Sequence, residues 1–575
     1  MRIEITVGML LIVVCAAVAA LVPAGPAAAE TWIGMGATDL WTAPGNWDTS
    51  FVPANPSTEI ITFEDADAVT DATVTNIVDE DWTIGGLNYA NMLAGGHNTH
   101  ISAGKTLVVD GDLQAWYNIG ADHSLYTGMK ATITGGTLQV GTDVQTRDLF
   151  VAYVPGAGWR GVRGTMTMAC GGIKTHLRNV VIGASDANHN DVRPGWGHLD
   201  LRGTPIVGGT FSAGDVTVGK GSAHIGAVYL DDACGLQNLS VSGTLAIGTY
   251  GSTGSLGVSE NDWKLPSNVN VSIGVDASTR GSLILGTAGE SQGHNSGYTG
   301  TGTLVADDGG TFTAYLTNMF VGYSTQFNFS GAVGAGTLDI SAMDSVTLDV
   351  SGTATIGEST TENGRFDAVV KLPAGVAAAA SLNVGVGGSG ARSGLLSLHG
   401  TVFTVNSSLT VGPSGTVRAN VSGVSCGLDL AESVAVTVGE GGVIDVVFDD
   451  TAPPSGIYWG LRAEGDRLSE FEGLYNDGKL TWDDTLLGLA TGETVTIFKD
   501  AIHTYVGLNT FSLDGDVNGD CVVNILDLIG IRNHLNQDAN SPPENKAYDV
   551  NDDDSINILD MIYVRNRLNT SCPEL

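Results

Sequence analysis

Val180-Val181-Ile182-Gly183 returns as Val216-Thr217-Val218-Gly219, Leu245-Ala246-Ile247-Gly248, Val271-Ser272-Ile273-Gly274 and Met319-Phe320-Val321-Gly322. It continues as Ala354-Thr355-Ile356-Gly357, Leu382-Asn383-Val384-Gly385, Leu409-Thr410-Val411-Gly412 and Val436-Thr437-Val438-Gly439. The outer residues of each strand are apolar, and most middle ones are small or polar. A period of two with one buried face is a β-strand. The glycines are spaced by 36, 29, 26, 48, 35, 28, 27 and 27 residues. A near-constant period of this size marks a repeat architecture.

A second strand usually follows a glycine-containing turn. Examples are Gly254-Ser255-Leu256, Gly281-Ser282-Leu283-Ile284-Leu285, Gly336-Thr337-Leu338-Asp339-Ile340, Gly394-Leu395-Leu396-Ser397-Leu398 and Gly415-Thr416-Val417. A unit with two or three strands is the size of one coil of a parallel β-helix. Stacked coils bury a Val/Ile/Leu column that no single repeat could bury, and the glycine permits the sharp corner. The long intervals read as loops or extra strands, for example 184–195 and 287–302. The expected fold is mainly β: a right-handed parallel β-helix body with a small α-helical C-terminal domain. An array of β-sandwiches is the competing architecture, disfavoured by the regular glycine corners.

Composition agrees. Glycine is 80 of 575 residues, about double ordinary usage. Acidic residues outnumber basic ones 62 to 25, a net charge of −37. That balance argues against nucleic acid and anionic membrane surfaces as partners. Charged residues are only 15 % of the chain, so most of the surface is Ser, Thr, Asn and Gly.

The C-terminal segment is different. Asp516-Val517-Asn518-Gly519-Asp520-Cys521-Val522-Val523-Asn524-Ile525-Leu526-Asp527 is matched 33 residues later by Asp549-Val550-Asn551-Asp552-Asp553-Asp554-Ser555-Ile556-Asn557-Ile558-Leu559-Asp560. Oxygen side chains fall at loop positions 1, 3, 5, 9 and 12 of both copies. A hard cation such as Ca²⁺ takes six to eight oxygens, and this spacing wraps them around one point. The predicted ligands are Asp516, Asn518, Asp520, Asn524 and Asp527, then Asp549, Asn551, Asp553, Asn557 and Asp560. Val522 and Ser555, at position 7, supply backbone carbonyls. Position 6 is Cys521 and Asp554 where a glycine is usual. Asp tolerates a left-handed backbone better than Cys, so the first site is the weaker. A helix follows each loop, with Ile525/Leu526 and Ile529, then Ile558/Leu559 and Ile562, on one face. No helical pattern precedes the first loop, so each unit is loop-then-helix.

This duplicated arrangement resembles the type I dockerin family over about residues 514–572. The resemblance implies a module folded around two calcium ions that docks onto a cohesin domain of another protein. Position 12 is Asp, which is normal for dockerins. Positions 10 and 11, where the family's cohesin contacts concentrate, are Ile525-Leu526 and Ile558-Leu559; cellulosomal dockerins often carry hydroxyl residues there. The apolar pairs imply either a different partner or a surface folded onto the rest of this chain.

The body resembles autotransporter-associated β-strand repeat proteins, which form secreted parallel β-helices. Trp32-Ile33-Gly34, Trp41, Gly45-Asn46-Trp47 and Val52-Pro53 look like the opening segment those chains often carry. The aromatics are read as an N-terminal cap on the first coil; stacking on sugars, with carbohydrate as a partner, is the other use. At the far end, Asp466 to Gly478 reads as a short helix with Leu468, Phe471 and Leu474/Tyr475 on one face. With Trp459, Trp482 and a strand over 494–498 it forms a C-terminal cap.

Residues 1–29 read as a secretory signal peptide: Arg2, an apolar run from Gly8 to Val22, and Ala27-Ala28-Ala29 before Glu30. No later apolar run reaches the length of a membrane-spanning helix. The chain is therefore expected to be secreted or held at the cell surface, where calcium is plentiful and disulfides persist. Cys521 is expected to pair with Cys572, and Cys170 is placed to pair with Cys234 across stacked coils. The expected divisions are 1–29 signal peptide, 30–110 N-terminal cap and first strands, 111–450 β-helix repeats, 451–510 C-terminal cap and 511–575 calcium module.

No catalytic residue is assigned. Asp339, Asp349, Asp445 and Asp449-Asp450 could supply paired carboxylates, but none recurs in register with a nearby Arg, Lys or His. His97 and His100 are close enough in sequence to share a metal, a weak signal by itself. No GxSxG, HExxH or P-loop string occurs. The leading reading is a non-catalytic secreted β-helix protein attached through its calcium module. The alternative is a polysaccharide-degrading enzyme, a glycoside hydrolase or lyase, of a cellulosome-like complex.

Overall fold

The computed structural model describes residues 29–64, 74–90, 96–115, 129–154, 163–185, 196–221, 225–249, 253–257, 264–288, 299–324, 333–360, 364–388, 393–422, 426–448, 457–483, 495–500, 502–509, 515–518, 522–539, 543–551 and 553–570. Apart from Ala29, the signal-peptide segment lies outside them, as do Asp449-Asp450, Asp520, Cys521 and Cys572.

The body is a stack of coils, each made of strands that pair in parallel with the coils above and below. Two large sheets result, A with 20 strands and B with 16 among the described residues. The repeat motif builds one column of sheet A. Val180–Ile182 pairs in parallel with Val216–Val218, then Leu245–Ile247, Leu283–Leu285, Met319–Val321, Ala354–Ile356, Leu382–Val384, Leu409–Val411 and Val436–Val438. The parallel stacking overturns the sandwich alternative. In several coils one strand runs through a bend into a second column of sheet A, as in Thr311–Ser324 and Ser345–Ser359, with the register shifting at the bend. A full coil therefore presents three faces: one on sheet B and two on sheet A.

One motif copy sits elsewhere than expected. Val271-Ser272-Ile273 pairs with Leu239–Val241 and Phe312–Ala314, in the other column of sheet A. Its place in the motif column is taken by Leu283-Ile284-Leu285, expected as a second strand. The two segments have the same alternation, so only the pairing partner distinguishes them. The other expected second strands do stack on sheet B: Gly254, Gly302, Gly336, Ala368, Gly394 and Gly415 occupy one register position.

The two glycine series meet where the sheets join. Gly286, at φ +63°, has its backbone packed against Gly302, and Gly322, at φ +68°, packs against Gly336. A Cβ on Gly286, Gly302 or Gly336 would overlap backbone, and one on Gly322 would meet the Ala368 Cβ. Inside each coil the alternate residues form one continuous core, including Ile182, Leu285, Val321, Ile356, Phe403, Leu409 and Phe448, all fully buried. Burial of that apolar area, at about 25 cal/mol per Å², is the main favourable term.

Both ends are closed. Trp32, Trp41 and Trp47 are buried and pack edge-to-face, with ring centroids 5.2 Å apart for Trp32 and Trp47 and 5.8 Å for Trp41 and Trp47. The Trp41 indole donates to Asn76 Oδ1 at 2.9 Å, and the Trp47 indole to the Trp41 carbonyl at 2.9 Å. These rings cap the first coil and present no face for stacking on sugar. At the other end Ile457–Glu464 pairs antiparallel with His503–Asn509, which breaks the parallel stack. Helix α1 (Leu468–Asn476) buries Phe471, and Gly478 follows it at φ +70°.

Cys170, Cys234 and Cys426 are buried free thiols, so the Cys170–Cys234 pairing is not formed. The two cysteines lie on strands or turns two coils apart, about 10 Å at ~4.8 Å per spacing, beyond the ~7 Å Cα separation a disulfide spans. Cys170 Sγ instead donates to the Ile133 carbonyl at 3.5 Å. Burial pushes the Cys170 thiol up to about 12 and the Cys426 thiol to about 11. Thiolate, the reactive form, is then scarce at pH 8. Native protein treated with iodoacetamide at pH 8 should carry no label on Cys170, Cys234 or Cys426 by mass spectrometry, and full label after denaturation.

Candidate metal centre

The two C-terminal loops are each followed by a helix, α2 (Ile525–His534) and α3 (Ile558–Arg565). Asn524 and Asn557 are their N-caps. The Asn524 side chain accepts from Leu526 N–H and the Asn557 side chain from Leu559 N–H, both at 2.7 Å. Asp527 and Asp560 reach back to accept the Asn524 and Asn557 N–H groups, again at 2.7 Å. These are reciprocal capping boxes, so the position-9 and position-12 residues also start each helix.

Asp527 and Asp560 are fully buried. The other oxygen of Asp527 accepts from Val517 N–H at 2.9 Å, and that of Asp560 from Asn551 N–H at 3.3 Å. Each carboxylate thus ties the loop's beginning to its end. In the second loop Asp549 Oδ1 accepts from Asp553 N–H at 3.1 Å and Oδ2 from Asp554 N–H at 3.0 Å. Asp554, at position 6, takes φ +64°, the left-handed turn expected there. The Asn524 and Asn557 amides donate to the Val522 and Ser555 carbonyls at 3.0 and 2.8 Å, which places the position-7 carbonyls beside the position-9 side chains.

In the second loop Asp549, Asp553 and Asp560 offer carboxylate oxygens all within 4.8 Å of one another. Three like charges so close repel, and Lys546 Nζ, 3.0 Å from Asp549, offsets only one of them. A divalent cation at their centre removes that cost, and an all-oxygen donor set suits Ca²⁺. The residues present therefore fit the metal. In the first loop Asp516, Asn518, Val522, Asn524 and Asp527 hold the equivalent positions, while Asp520 lies outside the described residues. His97 and His100 do not form a second centre. His97 is buried beneath sheet B, with Nε2 3.2 Å from the Glu64 carbonyl, whereas His100 faces outward, 3.1 Å from Thr134 Oγ1.

The two halves are related by an approximate two-fold. Asn569 N–H donates to the Val523 carbonyl at 2.8 Å, and Asn536 N–H to the Ile556 carbonyl at 2.9 Å. Both donors and both acceptors are 33 residues apart. Each position-8 residue is thereby held by the chain leaving the opposite helix. Among the described residues the fully buried shared core is Val523, Ile531, Ala539, Ile556 and Val564, with partly buried apolar side chains such as Leu528, Tyr548 and Met561 packed against it. The position-10 and position-11 pairs lie outside it. Ile525 and Leu526 are 62 % and 55 % exposed, and Ile558 and Leu559 are 59 % and 54 % exposed.

The enzyme candidates do not converge. Asp339 and Asp445 lie on the outer face of sheet B, separated by the strands at Lys371, Ser397 and Arg418. Four spacings of ~4.8 Å put them about 19 Å apart, against the roughly 5–10 Å of glycosidase carboxylate pairs. Asp349 is on sheet A. Contrary to the sequence reading, all three are paired with a base: Asp339 and Asp445 in strand register with Lys371 and Arg418, at 2.8 and 2.9 Å, and Asp349, out of register, with Arg280 at 2.7 Å. The separations of 32, 69 and 27 residues follow no fixed period, which hides them in the sequence.

The type I dockerin domain model matches residues 514–569. Neither the curated proteins nor the solved structures contain a match to the chain. Among the described residues no helix is long and apolar enough to cross a membrane. Residues 514–569, two loop-helix units with acidic capping boxes on a parallel β-strand body, are thus a type I dockerin domain, a calcium-dependent module for binding cohesin.

Proposed function

We propose that the chain is an exported, non-catalytic β-helix rod that attaches to a cohesin-like partner through this dockerin. Two calcium ions order the module, one in each loop, on the oxygens of Asp516, Asn518, Asp520, Val522, Asn524 and Asp527 and of Asp549, Asn551, Asp553, Ser555, Asn557 and Asp560. Export is supported by the leader-like residues 1–29 and by the need for calcium. The observation that carries the docking reading is the symmetric exposure of Ile525-Leu526 and Ile558-Leu559 on a module of so few core residues. Exposed apolar pairs on a small domain are costly to solubility and mark a contact surface. They suit a partner whose recognition strip is apolar.

Interferometry against a panel of immobilised type I cohesins tests this. Binding is expected in calcium and absent in excess chelator. Because the two faces are equivalent, Ile525→Asp or Ile558→Asp alone should leave binding largely intact. The double variant should weaken it by roughly a hundredfold, the effect of losing about 2–3 kcal/mol of contact. Unchanged affinity in the double variant would refute the apolar docking face.

A further inference from the structure

The outer face of sheet B carries a column of polar side chains that the dockerin does not use. In successive coils one register position is occupied by Asp339, Lys371, Ser397, Arg418, Asp445 and Thr481. His399 and Asn420, also in register with each other, flank it two residues along. The groups are linked. Ser341 Oγ donates to Asp339 at 2.7 Å, Thr481 Oγ1 to Asp445 at 2.9 Å, and the Asn420 amide to Ser397 Oγ at 2.8 Å. Ser397 Oγ lies 3.0 Å from His399 Nε2. The acids are recessed, at 24 % and 17 % exposure, while the Lys371 and Arg418 heads stand out at 39 % and 46 %. The column therefore offers solvent its spare N–H donors, held in place by recessed, partly exposed acceptors.

We propose that this column binds an extended, uncharged polysaccharide chain lying along the rod. Three features select that ligand. None of the six positions from Asp339 to Thr481 carries an aromatic or aliphatic side chain, so this stretch lacks the anchors that protein interfaces use. Two acids and two bases make it locally neutral on a chain of net charge −37, so a polyanion gains nothing here and is repelled by the surroundings. Five spacings of ~4.8 Å give a track of about 24 Å, and an extended glycan advances by a similar step per sugar. Hydroxyl and ring oxygens of successive sugars would then meet successive side chains. Cross-linking of the side chains keeps the ordering cost of binding low. The same spacing that leaves Asp339 and Asp445 too far apart for a hydrolytic pair suits a ligand held over several sugars.

The test uses the full, calcium-loaded chain in calorimetric titrations with cellohexaose, xylohexaose, mannohexaose and, as the charged comparison, oligogalacturonate. At least one neutral hexaose should bind and oligogalacturonate should not. Arg418→Ala and Lys371→Met should each weaken that binding by about tenfold, the loss of one charge-assisted hydrogen bond. Their thermal midpoints and their calcium-dependent cohesin binding should be unchanged, and Thr437→Ala on sheet A should have no effect. Failure of all three neutral hexaoses, preference for oligogalacturonate, or indifference to both column variants would overturn the proposal. Cohesin binding is read separately, so loss of one reading leaves the other standing.

Discussion

Changing Asp527 and Asp560 together to alanine should unfold the dockerin and leave the β-helix standing. Each is a fully buried carboxylate that accepts backbone N–H groups from both ends of its loop. Removing it strands those donors, at about 1–3 kcal/mol for each one left buried. It also removes half of a capping box, about 1 kcal/mol. Calcium at about a thousand times its dissociation constant contributes roughly 4 kcal/mol, and that linkage goes too. A domain with so few core residues has only a few kcal/mol to lose. Calorimetry of the double variant should show the calcium-sensitive transition gone and the transition of the body unmoved. Retention of both transitions would mean that the carboxylates do not hold the module together.

The second large effect lies in the body. Gly248→Ala should destabilise the β-helix by about 3 kcal/mol or more, whereas Gly203→Ala should cost only about 1–2 kcal/mol. Both glycines have positive φ, +65° and +71°, so both variants incur the left-handed penalty of roughly 1–2 kcal/mol. They differ in what surrounds them. A Cβ at Gly248 would overlap the Thr301 carbonyl group, which is backbone of the facing strand, whereas at Gly203 nothing lies within 4 Å. Backbone cannot swing aside as a side chain can, so the coils must separate locally. In a stack held by nearest-neighbour contacts that defect weakens the coupling between the two halves. Equal denaturant midpoints for the two variants would show that sheet contact at the corner is not what the glycine protects.

Much of this was legible in the amino-acid order. The V-x-I-G motif marked a stacked strand because alternation and a corner residue recur together. The duplicated Asp-x-Asn-x-Asp loops marked oxygen ligands because a hard ion requires them at those intervals. Helix α1 was readable from the spacing of Leu468, Phe471 and Leu474. Four things were left open by the amino-acid order. Val271–Ile273 and Leu283–Leu285 have the same local pattern, and only long-range pairing decides which joins the motif column. The bases beside Asp339, Asp349 and Asp445 lie one or two coils away, and coils of unequal length scramble that separation. Trp32, Trp41 and Trp47 read as a cap, with a sugar platform as the other use, and only their burial decides between the two. The dockerin's exposed Ile-Leu pairs were ambiguous for a related reason: apolar residues at helical spacing are usually core, and here the core is made by Ile531 and Val564 on the other face.

That a divalent ion organises the C-terminal loops is tested most directly by amide hydrogen exchange on the full chain. In excess calcium, peptides covering residues 515–570 should be protected, with the amides of Asn524, Leu526, Asn557 and Leu559 among the slowest. In excess chelator those peptides should exchange rapidly, while peptides from the stacked strands keep their protection. Equal protection of residues 515–570 in both conditions would contradict it.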